Sequence, residues 1–276
     1  MEEMKDQEAP KMSSVENDHE EFELSHTDKL VGVFSEPTAT FGKMAKFPSK
    51  TSDWIFPILV FIVVLILSQI VMMNNPGIKR DMIDKTVTKM EKQFNDAVKK
   101  GQLTQTQADE QIEKMRDGME QGGAMRIIGT IISIPIITFI IFFIMAGIYL
   151  LLAKFALKGE GTYKEAMVAY GLPLYISAIQ WIVLVIAAFI TNKYLSGTSV
   201  AEFLDSDKST IAGFVFGKLD IFSIWFYTIL GIGLAKLFKS ENTKQYIIAV
   251  FSLWIGLALL FFALTKAVPW LSFLEG

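Results

Sequence analysis

The chain has 276 residues, of which 51% are hydrophobic and 20% charged, with a formal net charge of −3. Cysteine is absent, which excludes disulfides, iron–sulfur clusters and thiol nucleophiles, and no nucleic-acid partner is expected. The charges fall almost wholly outside five apolar runs, a segregation that a bilayer demands, because a Lys, Arg or Asp at its centre costs roughly 2.5 to 3.5 kcal/mol.

The first 28 residues form an acidic tail, with Glu2, Glu3, Asp6, Glu8, Glu16, Asp18, Glu20, Glu21 and Glu23 set against Lys5 and Lys11. With almost no large apolar residue it is expected to be disordered. It lacks the basic start and apolar core of a cleaved signal peptide, so the first span is expected to direct insertion. Both histidines, His19 and His26, fall in this tail and are read as solvated polar residues, since no metal-ligand spacing recurs near them.

A lead-in segment follows. Ser35 or Glu36 can cap a short helix whose first turn holds Pro37, as helix starts prefer. Phe41, Met44 and Ala45 then share one face, with Lys43, Lys46 and Lys50 around it. Two readings fit. Phe41, Lys43, Met44 and Lys46 could lie in the headgroup plane of an anionic leaflet, or the apolar members could pack on the span ends.

Apolar runs at 55–73, 127–152, 172–190, 221–237 and 247–264 each approach the ~20 residues that cross ~30 Å of hydrocarbon. Between the first two, residues 74–126 carry a helical pattern. Ile83, Val87, Met90, Phe94 and Val98 recur at helical spacing, Gly101 can end that helix, Thr104 and Gln107 offer a capping box, and Ala108, Ile112, Met115 and Met119 repeat the spacing. This predicts a helical hairpin inserted between spans one and two, its stripes burying one another, hinged at Gly122-Gly123. The expected fold is an all-α membrane protein with that hairpin, a tail over 1–28 and a membrane domain over 29–276.

Lys43, Lys46, Lys50, Lys154, Lys158, Lys164, Lys236, Lys239 and Lys244 crowd one set of short flanks, which favours a cytoplasmic N-terminus and an external C-terminus. Lys79, Arg80 and Arg126 argue the other way. The spans hold few polar groups, chiefly Ser68, Gln69, Ser177, Gln180 and Ser223. Lys154, Lys218, Asp220 and Lys236 are read as span-end residues that reach the interface. Gln69 and Gln180 are candidates for hydrogen bonds between helices, and Gly213 with Gly217 for close helix packing. With no intramembrane Ser/His, paired Asp or zinc-binding helix, no catalytic residue, cofactor or metal is expected.

Two stretches are less generic: VFSEPTATF before the first span and LKGEGTYKEAMVAYGLPL between the second and third. In this order, within five spans and behind an acidic tail, they make the chain resemble the Yip family of Ypt/Rab-interacting membrane proteins, in its bacterial form. The residues that carry the resemblance are Pro37, Phe41, Gly159, Gly161, Tyr163, Ala166, Tyr170, Gly171 and Pro173. The resemblance implies a non-enzymatic scaffold or membrane organiser that associates with itself or other membrane proteins, and in eukaryotic members with small GTPases. Ser35-Glu36-Pro37 stands where an Asp-Leu-x-Gly-Pro stretch would be expected, and Tyr170-Gly171-Leu172-Pro173 only partly echoes a Tyr-Gly-Tyr-Ser run, which argues against the GTPase here. The runner-up is a permease component for a neutral or lipidic solute, for which a polar cavity between Gln69 and Gln180 would speak.

Overall fold

The structure, a computed structural model, describes residues 23–121 and 123–267, of which 121 and 123–127 by backbone alone. The tail up to residue 22, His19 within it, Gly122 of the expected hinge and the Arg126 side chain lie outside the described residues. Every regular element among those described is helical.

Helix α1 (His26–Ser35) starts inside the expected tail because Ser25 and Asp28 close a capping box ahead of it. Helix α2 (Pro37–Met44) follows after Glu36, with Pro37 in its first turn. The first span is α3 (Ser52–Asn74). It leads through Asn75, whose side chain accepts from the N–H groups of Gly77 and Ile78, into α4 (Pro76–Lys99) and α5 (Gln105–Gln121). These two are the predicted hairpin: Gly101 turns the chain at φ 69°, and Thr104 and Gln107 form the reciprocal cap. Met82, Ile83 and Val87 are buried against Ile112, Met115 and Met119. The arms do not stand alone, because Tyr194 N–H donates to Asp81 at 2.7 Å and Lys85 to the Tyr194 carbonyl at 2.9 Å.

The second span is α6 (Gly123–Leu151), which ends in a π-helical turn at Leu152–Ala156. The third is α7 (Tyr163–Gly171) with α8 (Leu174–Thr191), together long and apolar enough to cross a bilayer. Pro173 sits at their junction, where its missing N–H interrupts the helical ladder; the apolar face therefore begins nine residues earlier than the run at 172 suggests. After two short helices, α9 (Val200–Phe203) and α10 (Ile211–Lys218), come α11 (Ile221–Leu237) and α12 (Thr243–Ala267).

Four segments have the length and apolarity of spans. The remaining run differs from a simple helix: α11 has 17 residues, about 26 Å at 1.5 Å per residue, and reaches spanning length only with α10, from which it is bent by 60°. The core lies among α2, α3, α7, α8 and α11, where Phe41, Ile58, Leu172, Ile176 and Leu230 are fully buried. Helix α12 packs chiefly on α11, and 6% of its apolar window is buried; half-exposed Ile and Phe side chains along it and α6 face outward, as lipid-facing residues do.

Candidate functional site

The residues of the two less generic stretches gather at the end of the bundle where α11 meets α12. The loop after the π-helical turn is held by Gly159 N–H on the Ala153 carbonyl at 2.8 Å and Glu160 N–H on that of Phe238 at 3.1 Å. Gly159 and Gly161 are both pressed on Phe238: an added Cβ would lie 2.8 Å from the Phe238 Cβ in the first case and 2.6 Å from its ring in the second. Gly171 leaves 2.9 Å to the Trp54 Cα, and Gly233 of α11 leaves 2.9 Å to the tip of Phe41. Tyr163 donates to the Phe143 carbonyl at 2.8 Å, while Tyr170 stands among Phe142, Tyr149 and Phe226, all within 5.6 Å between centroids. Close approach of backbone to side chain accounts for these glycines.

The lead-in segment resolves in favour of packing. Phe41 is 0% and Met44 6% exposed, both spent on the core beside α11, so the expected surface role of these two is corrected. Lys43 and Lys46 remain exposed. His26 is likewise no solvated residue: its Nε2 lies 2.7 Å from the Tyr175 hydroxyl and its ring 4.9 Å from that of Phe56.

Beside them is a charge cluster that sequence reasoning missed. Lys29 Nζ lies 2.8 Å from Asp53 Oδ1 with both side chains about 95% buried, and Asp53 Oδ2 accepts from Lys50 N–H at 3.0 Å. Glu23 closes the cluster, 2.7 Å from Lys50 Nζ and 3.5 Å from Lys29 Nζ. The hydrogen bond from Lys50 holds the Glu23 carboxyl below its ordinary range, and that same bond raises the Lys50 ammonium. Asp53 at the head of an apolar run was the available signal.

Asp220 stands at the end of a helix, as expected, but with partners the sequence did not reveal. It is 6% exposed and caps α11 by accepting from Phe222 N–H at 3.1 Å. Gln180 Nε2 donates to it at 2.9 Å, the Thr198 hydroxyl at 2.8 Å and the Ser223 hydroxyl at 2.7 Å. Gln180 lies eleven residues before the end of α8, roughly 16 Å along the helix. The carboxylate is thus buried at the start of α11 between α8 and the connection that follows it, its burial compensated by four donors. Of the two expected glutamines, Gln180 bonds between elements and Gln69 makes no hydrogen bond among the described residues. Gly213 packs on the backbone of Asp207 and Lys208 instead of on another span, and Gly217 faces open space.

Next to this network a cavity of about 400 Å³ opens between α3, α6, α8 and α11. Phe61, Phe142, Phe226 and Leu174 contribute apolar wall, and Thr138, Ser177, Gln180 and Ser223 polar atoms; Gln69 does not reach it.

A family model described as the Yip1 domain matches residues 31–265. Neither a curated protein nor a solved structure gives a significant match. The matched region takes in the lead-in helices, the hairpin and all the candidate spans, and so the chain is an integral membrane protein of the Yip1 domain family.

Proposed function

We propose that the protein is a non-enzymatic scaffold of the bacterial cytoplasmic membrane, with its N-terminus in the cytoplasm, whose partner-facing part is the α4–α5 hairpin. The observation that carries this reading is how the hairpin is mounted. Its inner faces are consumed by self-packing, its outer faces carry exposed Lys, Glu and Asp, and its α4 arm is tied to the connections after α8 by Lys85 to the Tyr194 carbonyl and Asp81 to Tyr194 N–H near the base, and by Lys92 to Asp207 at 3.7 Å farther out. An exposed ion pair contributes little stability singly, but with two hydrogen bonds to the Tyr194 backbone beside it the arm is held in one orientation, which suits presentation of a polar surface to another membrane protein or a second copy.

Surface attraction through the lead-in segment is, on this reading, electrostatic: exposed Lys43 and Lys46 each add ~1 kcal/mol near an anionic leaflet. The cavity beside Gln180 does not include Gln69, so the polar cavity between the two glutamines that would speak for a permease is not formed.

A photo-crosslinking residue at Glu113, exposed on α5, tests the reading in native membranes. Discrete adducts from this position, absent from a control at lipid-facing Ile186, are the expected result. Equal, diffuse labelling from both positions refutes the hairpin as a partner surface.

A further inference from the structure

We infer that the cavity between α3, α6, α8 and α11 is a binding site for one uncharged, hydroxyl-bearing glycerolipid of the diacylglycerol class. Its volume, about 400 Å³, falls within the ~300 to 1,000 Å³ of sites that hold small molecules. It is more than a packing gap because of its polar atoms. Thr138, Tyr170, Ser177 and Tyr227 all line it, and the hydroxyls of all four lack a hydrogen bond among the described residues. None of these hydroxyl oxygens is wholly buried in protein. Polar groups left bare within an apolar slab are costly, so the cavity is matched to an occupant that carries oxygen atoms of its own.

Gln180 narrows the choice. Its amide nitrogen is committed to Thr198 at 2.8 Å and to Asp220 at 2.9 Å, an assignment the Asp220 carboxylate enforces because it needs donors. Oε1 is therefore an acceptor without a donor, and it asks for an O–H or N–H from the ligand. No Lys, Arg or His lines the cavity, while the Asp220 carboxylate is bonded directly to two of its wall residues, Gln180 and Ser223. A phosphate head would meet a carboxylate and no cation. An isoprenoid quinone has carbonyl acceptors but no donor for Gln180. A diacylglycerol meets both demands: its free hydroxyl donates to Gln180 Oε1 and its ester carbonyls accept from the Tyr, Ser and Thr hydroxyls. Ile137 and Ile141, both about half exposed, stand on the α6 side, so acyl chains pass in sideways along apolar groups.

The test is native mass spectrometry of the full chain released from phospholipid nanodiscs doped with dioleoylglycerol or with menaquinone. A single retained dioleoylglycerol is expected on the natural chain, with retention roughly tenfold weaker in the double variant Tyr170→Phe/Tyr227→Phe, which keeps both rings and removes two hydrogen bonds. Thr138→Phe, which fills the space, is expected to abolish it. Should Thr138→Phe fail to fold, the Tyr→Phe pair alone decides. Retention equal in the natural chain and the Tyr→Phe pair overturns the inference, as does absence of any dioleoylglycerol adduct or preference for the phospholipid or menaquinone.

Discussion

Lys29 of α1 and Asp53 of α3 form an ion pair at 2.8 Å in which neither side chain is more than 5% exposed, so the lead-in helix is fastened to the first span by charges removed from water. Removing one partner strands the other in a buried site, which costs about 3 to 5 kcal/mol. Lys29→Met and Asp53→Leu are each expected to lower the detergent-solubilised chain's denaturation midpoint sharply. The double variant Lys29→Met/Asp53→Leu is expected to recover most of the loss, because both buried charges are then gone.

Acid has a defined sign at the same cluster. The Glu23 carboxyl is held below its ordinary range by Lys50, so its contribution is complete above the ordinary glutamate range and is lost as pH falls through the lowered value. Amide protection in α1, taken relative to the intrinsic exchange rate at each pH, should fall over that acidic window in the natural chain. In Glu23→Gln the fall should be smaller, since the titrating partner is already absent.

Phe41 separates packing from surface attraction. As a fully buried ring against Gly233, Phe41→Ala is expected to cost about 3 to 5 kcal/mol, seen as a lower melting temperature. Lys43→Gln/Lys46→Gln should leave that temperature within about 4 °C, given that exposed substitutions stay within about ±0.5 kcal/mol each. The same pair should weaken binding of the protein to anionic vesicles, read by flotation, where Phe41→Ala has no direct part.

The hairpin seam is graded along its length. Ile83 and Val87 are almost fully buried, whereas Met90 and Phe94, nearer the tip, are half-buried. Ile83→Asp is therefore expected to raise protease cleavage within 76–121 strongly, and Phe94→Asp weakly, with the spans intact in both. Cleavage spreading equally into the spans would place the hairpin within the core.

Orientation is read by cysteine labelling in intact cells. A cysteine at Ser206 should react with an impermeant maleimide from outside and one at Ser240 should not. The reverse pattern inverts the proposed topology.

Much of this architecture was legible in the chain because its signals are local. Run length marks spans, and the 3.6-residue stripe with Gly101 and the Thr104–Gln107 box marks the hairpin. The Phe41 face was ambiguous for a physical reason: an apolar stripe beside a membrane looks the same whether lipid or α11 covers it. Asp220 ends a helix as hydropathy suggests, but its burial was not legible, because it depends on Gln180 and Thr198, forty and twenty-two residues away. The Lys29–Asp53 pair is hidden likewise, since nothing local in either residue announces the other.

The Asp220 network also carries a consequence for biosynthesis. Two of its four donors, on Gln180 and Thr198, leave the ribosome before Asp220 does, and chains assemble from the N-terminus as they are made. The carboxylate is thus made when two of its partners already exist in the chain, and only Phe222 and Ser223 follow it. A change at Gln180 should accordingly be felt in nascent-chain stalling and quality-control turnover, in living cells, well before it is felt in the finished molecule.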